Sequence, residues 1–184
     1  MTNPAHEKWM RRALFHARQG LGRTAPNPSV GCVIVKDDQV VSFARTPDGG
    51  RPHAEANALA KAGKRAKGAT AYVTLEPCSH KGQTGPCTQA LRDAGIGEVV
   101  IGCQDEAPHV NGQGIQTLKK AGLTVITGVL EDECRNINKG FFLSQNEKRP
   151  LVTLKMATSL DGKIAMQNGE SKWITGDLAR RRGH

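Results

Sequence analysis

An imidazole, a carboxylate and two thiols lie within one short stretch of this chain, at His53, Glu55, Cys78 and Cys87. One imidazole and two thiolates suit a borderline-soft ion such as Zn²⁺ and leave one corner of a tetrahedron open. A structural site normally closes with a fourth Cys or His, so a three-ligand set points to catalysis. Neutral His53 with two thiolates cancels the charge of the ion. Water held by zinc has its pKa lowered towards ~7, which makes hydroxide available at neutral pH. Glu55 follows His53 by two residues, too close for both to share the metal easily from one helix. It is better placed beside the bound water as a proton carrier.

These residues also have ordinary readings. A lone His-x-Glu at a helix start usually does nothing. Two loop cysteines flanked by prolines could form a redox pair, or join His80 in a closed structural zinc site. Both halves in this order, with one strand between them, favour the open catalytic site.

The elements that must position these groups follow from periodicity. Apolar residues at Trp9, Met10, Ala13, Leu14 and Ala17 predict a helix over His6 to Gln19, stopped by Gly20 and Gly22. The prolines of Thr24-Ala25-Pro26-Asn27-Pro28 enforce an irregular segment. Val30 to Val35 and Val40 to Ala44 predict a hairpin turning at Lys36-Asp37-Asp38-Gln39. A Gly/Pro-rich loop then delivers His53 to the start of a helix running to about Ala62. Ala69 to Leu75 reads as a strand, Glu76 to Pro86 as a polar loop, and Cys87 to Gly95 as a helix. Strands over Val99 to Cys103 and Leu123 to Ile126 flank a helix over Gly114 to Ala121. A last helix is predicted from about Glu131 to Phe142. Two antiparallel strands followed by α-β alternation imply an α/β fold, a mixed five-stranded sheet covered by helices on both faces. Both ligand sites then fall near helix starts, which favour thiolate over thiol.

At 184 residues the chain is long enough for one well-buried domain and part of a second. No apolar run approaches the ~20 residues needed to span a bilayer, and the first residues lack signal-peptide order. A cytoplasmic protein without a membrane partner is expected. Five cysteines, an odd number, argue against a disulfide framework. Cys32 and Cys103 lie in apolar runs and read as core thiols, while Cys134 lies in a polar helical stretch with no evident role. The net charge of +9 is scattered apart from Lys61 to Lys67 and Arg180 to Arg182. Trp9, Tyr72 and Trp173 are far apart, so no aromatic-basic interleaving of the kind that reads single strands is seen. No nucleic-acid partner is expected, and the charge is compatible with a small phosphorylated substrate.

His-x-Glu followed by Pro-Cys and a second Cys is the signature of the zinc-dependent nucleobase deaminases. Their usual second half is Cys-x-x-Cys, whereas eight residues separate Cys78 from Cys87. The longer segment, Cys78-Ser79-His80-Lys81-Gly82-Gln83-Thr84-Gly85-Pro86-Cys87, closely resembles that of the bifunctional riboflavin-biosynthesis deaminase/reductase family. Thr24 to Gly31, Gly50 to Leu59 and Ala71 to His80 are similar to other motifs of that family. The resemblance implies a three-layer α/β/α cytidine deaminase-like fold, Zn²⁺ as cofactor and assembly as a homo-oligomer. It also implies hydrolytic deamination of 2,5-diamino-6-ribosylamino-4(3H)-pyrimidinone 5′-phosphate to ammonia and the 5-amino-uracil ribosylamine phosphate. Glu55 would carry the water proton to the ring nitrogen and later to the departing amine. By motif, Asn27, His80 and Asp105 would line the substrate pocket; without the resemblance each reads as structural. Three positions depart from the family pattern: Gln83 in place of Lys or Arg, Arg45-Thr46 in place of an aromatic-His pair, and Ala107 in place of a polar residue. An RNA base, or a free nucleoside or base, is the alternative substrate, and a structural zinc module the remaining reading.

From Arg149 the character changes. Pro150 ends a helix and Leu151 to Ala157 predicts a strand. Ser159 to Ala165 and Gly169 to Thr175 are similar to the opening motifs of the family's NADPH-dependent reductase. That resemblance implies NADPH contacts at Ala157 and Trp173 and a substrate contact at Ser171. The expected organisation is a deaminase domain over 1–148 and an incomplete reductase fragment over 149–184, without hydride transfer. About 35 residues do not build a dinucleotide-binding domain, and no Gly-rich phosphate loop is visible.

Overall fold

A computed structural model describes residues 3–80, 85–107 and 110–183. It divides into two units between Pro150 and Leu151. The first opens with helix α1 (Pro4–Arg18), where Asn3 Oδ1 accepts from the N–H of Ala5 at 3.0 Å and Pro4 occupies the first turn. Trp9, Met10, Ala13, Leu14 and Ala17 are all buried, as their helical spacing demands. Strands β1 (Gly31–Lys36) and β2 (Gln39–Arg45) form the expected hairpin. Asp37 and Asp38 both adopt positive φ, the backbone that a two-residue hairpin turn of matching twist requires.

Helix α2 (Ala54–Ala62) is followed by a 3-10 turn (Gly63–Ala66) and strand β3 (Thr70–Leu75). Helix α3 (Cys87–Asp93), strand β4 (Glu98–Cys103), helix α4 (Gln113–Lys120) and strand β5 (Thr124–Thr127) complete the alternation. The strand order is β2-β1-β3-β4-β5, with β1 antiparallel to both neighbours and β3, β4 and β5 parallel. Helices α2, α3 and α4 cover one face, and α1 packs on the other beside α5 (Glu131–Ile137). The central strands are buried on both faces, as continuous apolar runs such as Val99-Val100-Ile101 imply. Each such side chain stabilises the fold by about 1.5–3 kcal/mol.

The sheet brings the chemistry to one edge. Cys32 of β1 lies opposite Val73 of β3, so the start of β1 adjoins the carboxyl end of β3. Gly31 likewise pairs with Arg45 at the end of β2. Asn27 before β1, Thr46 after β2, Cys78 after β3 and Asp105 after β4 therefore share one rim. The parallel pairing begins at β3, and ligands of open α/β sheets bind beyond strand carboxyl ends at such a reversal.

Three sequence expectations are corrected. The single helix from Glu131 to Phe142 breaks at Asn138 into α5 and α6 (Lys139–Glu147). The Asn138 side chain accepts from the N–H of Ser29 at 2.9 Å and donates to its carbonyl at 3.2 Å, a two-point contact across 109 positions of chain. Cys134 is fully buried against β4; a Cβ on Gly102 would lie 2.2 Å from its sulfur, so Cys134 is a core residue. Leu151 to Ala157 is not a strand: no described strand pairs with it, and Val152 and Leu154 are 83% and 79% exposed. A β-rich pattern without a ladder partner has no means of satisfying its backbone as a strand. Among its described residues the second unit has one helix, α7 (Asp177–Gly183), and none of them is buried.

Candidate active site

His53 caps α2 in extended conformation, Cys78 lies three residues beyond β3, and Cys87 opens α3. The ligand atoms of these three lie within 4.8 Å of one another, the one such cluster among the described residues. His53 Nδ1 stands 3.3 Å from Cys87 Sγ and 3.6 Å from Cys78 Sγ. Ordinary Zn–N and Zn–S bonds at tetrahedral angles separate N and S by about 3.6 Å, so the cluster fits zinc. The backbone holds the sulfurs in place: the N–H of Cys87 donates to Cys78 Sγ at 3.4 Å, and that of Thr88 to the Cys78 carbonyl at 3.1 Å.

The electrostatics agree with a ligand set. Cys78 is drawn down to about 4, chiefly by the hydrogen bond from Cys87 and also by His53, against the effect of burial. Cys87 is pushed up by the same partnership and by burial. His53 is raised, first by its hydrogen bond with Cys78. Glu55, only 4% exposed, is a hydrogen-bond partner of Cys87. Burial first, then the charge of Cys78, pushes its carboxyl up to about 7, the range in which a carboxyl both takes and gives protons near neutrality.

A cavity of about 200 Å³ opens onto this cluster. Asn27, His80 and Asp105 line it together with His53, Cys78, Arg51 and Phe141. Asn27 is fixed by donating from Nδ2 to the Gly50 carbonyl at 2.8 Å. Thr46, where the family pattern departs, is buried and pairs with Val30, its N–H donating to the Val30 carbonyl at 2.8 Å and its Oγ1 accepting from the Val30 N–H at 3.0 Å. Ala107 is buried, and its N–H donates to Asp105 Oδ1 at 2.9 Å. Gln83 lies outside the described residues.

Sequence reasoning passed over Glu76. Its buried carboxylate accepts from the N–H groups of Asp105 and Gly112 on one oxygen, and of Gly114 and Ile115 on the other, at 2.8–3.1 Å. The N-cap of α4 is Gly112, which has no side chain to offer, so Glu76 of a distant strand end supplies the cap. The signal available was a carboxylate immediately before Pro77-Cys78 with no chemical duty. In the second unit Ala157, Ser171 and Trp173 line a separate depression of about 360 Å³, together with Lys155 and Arg180. The Arg180 guanidinium lies 4.0 Å from the Trp173 ring centre.

The fold and the three-ligand pocket define a domain of the zinc-binding deaminase type. Residues 3–103 match the family described as the cytidine and deoxycytidylate deaminase zinc-binding region, and residues 150–184 match the RibD C-terminal domain. The chain belongs to that deaminase family, in its RibD branch. It is 50% identical over 175 residues to riboflavin biosynthesis protein RibD of Escherichia coli, covering 95% of this chain and 48% of that one. The RibD of Aquifex aeolicus is 45% identical over 184 residues, covering 100% and 52%. The crystal structure of a Thermotoga maritima diaminohydroxyphosphoribosylaminopyrimidine deaminase/5-amino-6-(5-phosphoribosylamino)uracil reductase superposes with a TM-score of 0.87 at 45% identity, over 97% of this chain and 52% of that one. This chain thus spans about half the length of the curated relatives it matches. No helix among the described residues is long and apolar enough to cross a membrane.

Proposed function

We propose that the chain hydrolytically deaminates 2,5-diamino-6-ribosylamino-4(3H)-pyrimidinone 5′-phosphate, releasing ammonia and 5-amino-6-ribosylaminouracil 5′-phosphate. The observation that carries this reading is the buried Glu55 against a three-ligand cluster, beside a cavity lined by Asn27, His80 and Asp105. The names borne by the RibD relatives and by the Thermotoga enzyme support the substrate. His53, Cys78 and Cys87 hold zinc, which when bound supplies the Lewis acidity that makes water a nucleophile near neutral pH.

The chain's own groups carry the protons. Glu55 accepts one from the attacking water as its oxygen bonds to the amine-bearing ring carbon, and passes it to the adjacent ring nitrogen. It then takes the second proton from that oxygen and gives it to the amine. The C–N bond breaks with its electron pair on nitrogen, ammonia leaves, and the carbonyl forms. Asn27, His80 and Asp105 orient the ring.

In this reading residues 1–148 are the deaminase domain and 149–184 the start of a reductase domain. Hydride transfer is not assigned to these last residues, since among those described none is buried and none lies in a strand. Five cysteines outside any disulfide, two of them assigned to the metal, support a reducing, cytoplasmic setting. The test is ammonia release from the phosphorylated diaminopyrimidinone by wild type and Glu55→Gln at matched zinc content. Release by the wild type alone is expected; no release from the fully zinc-loaded wild type overturns the reading.

A further inference from the structure

We propose that Phe141 is the flat wall on which the substrate ring packs in this cavity, a specificity-determining contact that rests on the deaminase reading above. A pyrimidine carries its polar atoms around its edge and presents two apolar faces. In that reading Asn27, His80 and Asp105 meet the edge, and a face needs apolar surface, best supplied by another ring. Val30, Leu75 and Val110 give the cavity small aliphatic patches, and Phe141 is the one Phe, Tyr or Trp among the described residues that line it. The positions outside the described residues hold none of these three types. Other rings of the same unit are placed elsewhere. Trp9 is buried in α1, Tyr72 Oη meets His6 Nδ1 at 3.1 Å, and Phe43 stacks on His16 at 4.2 Å.

The break between α5 and α6 sets where this ring points. Asn138, at φ −101° and ψ 17°, leaves helical geometry and both closes α5 and opens α6. Its buried amide is committed to both backbone groups of Ser29, two residues after Asn27. The turn bearing Asn27 and the helix bearing Phe141 are thus joined at one two-point contact. Successive positions of a helix point about 100° apart. Accordingly α6 sends Phe142 into the core, 5% exposed, while half-buried Phe141 reaches the cavity. The two rings meet at 61° with centres 5.8 Å apart, so Phe142 braces Phe141 from the core side. A ring held in this way before a ligand arrives loses little freedom on binding. The competing explanation is that Phe141 only packs α6 on the core, and a side chain of similar bulk without a flat ring separates the two.

The experiment is titration calorimetry of the zinc-loaded chain with uridine 5′-monophosphate and with ribose 5-phosphate, which lacks the ring, for wild type, Phe141→Leu and Phe141→Ala. Thermal midpoint and zinc content serve as checks on folding. The wild type is expected to prefer the nucleotide. Phe141→Leu should lose about 3- to 10-fold in affinity for it, and Phe141→Ala about 10- to 100-fold, with little change for ribose 5-phosphate. Equal nucleotide binding by wild type and Phe141→Leu, equal losses for both ligands, or no wild-type preference for the nucleotide overturns the proposal. Ammonia assays separate this inference from the function beneath it. Phe141-dependent binding of the nucleotide without ammonia release from the diaminopyrimidinone phosphate sinks the proposed function and leaves Phe141 as a ring contact. Ammonia release with the same KM in wild type and Phe141→Leu sinks the role of Phe141 and leaves the function standing; the expected loss falls mainly on KM.

Discussion

The Glu76 carboxylate accepts from the N–H of Gly114 at 2.8 Å, tying the end of β3 to the first turn of α4. Two residues on from Glu76 is Cys78, so one buried side chain braces both the metal cluster and the loop bearing Asp105. Glu76→Gln keeps the shape but replaces one acceptor oxygen with a donor, leaving backbone N–H groups facing an N–H. The expected loss is about 2–4 kcal/mol of stability, read from urea denaturation at constant zinc. An unchanged midpoint would show that water or another group caps α4 equally well.

Zinc content should follow the three ligands. Wild type is expected to carry about one zinc per chain, and Cys78→Ser or Cys87→Ser to lose it. Chelation is expected to lower the thermal midpoint, because a ligand that binds only the folded state stabilises it. Chelation should also raise the rate of thiol modification at Cys78, whose sulfur is held in the reactive thiolate form by its Cys87 partner. Thiol titration with mass-spectrometric mapping checks this. Equal modification with and without chelator contradicts the ligand assignment.

Glu55→Gln separates binding from proton transfer. The amide retains the volume of a side chain packed against Cys87 but cannot cycle protons. Zinc content is expected to hold while ammonia release falls by about 10²- to 10⁴-fold. A fall of less than about tenfold would assign proton transfer to another group.

His16 sets a pH dependence away from the site. It is buried in α1, its ring stacked on Phe43 at 4.2 Å, and its Nε2 has no hydrogen-bond partner among the described residues. Burial first, then Arg12 and Lys61, lowers its pKa below the usual histidine value. The unfolded chain therefore binds the proton more readily. This contribution to stability is present above the unfolded value of about 6.5 and is lost as pH falls through it towards the lowered native value. His16→Phe keeps the ring stack and removes both the unpaired nitrogen and the titration. Denaturation midpoints at about pH 7.5 and pH 5 should differ less in the variant than in wild type. An equal pH response in both would place the dependence elsewhere.

The metal chemistry was legible in the residues because ligand identity is local. His53, Cys78 and Cys87 announce a three-ligand cluster through residue type and order, whatever surrounds them, and Glu55 stands two residues from the first of them. The hairpin and the α-β alternation were legible for a similar reason, since periods of 2 and 3.6 record which face of each element is buried. Cys134 shows the limit. Its neighbours Glu131, Asp132, Glu133 and Arg135 made the stretch look wholly solvated, yet one position of α5 turns its sulfur into β4 over Gly102.

What the tertiary structure alone decided were contacts between positions far apart in the chain. Asn138 breaks a helix because its amide is needed at Ser29, and Glu76 becomes a helix cap only when α4 folds back over β3. Arg51 becomes part of a cavity wall only when Gly50 locks against Asn27. The 151–157 segment fails as a strand because no described neighbour completes its ladder. By itself the sequence determined which side chains can bind zinc and carry protons, since those properties belong to functional groups. Their convergence on one sheet edge was decided by strand order, because an antiparallel β1 beside β3 places the start of one at the end of the other.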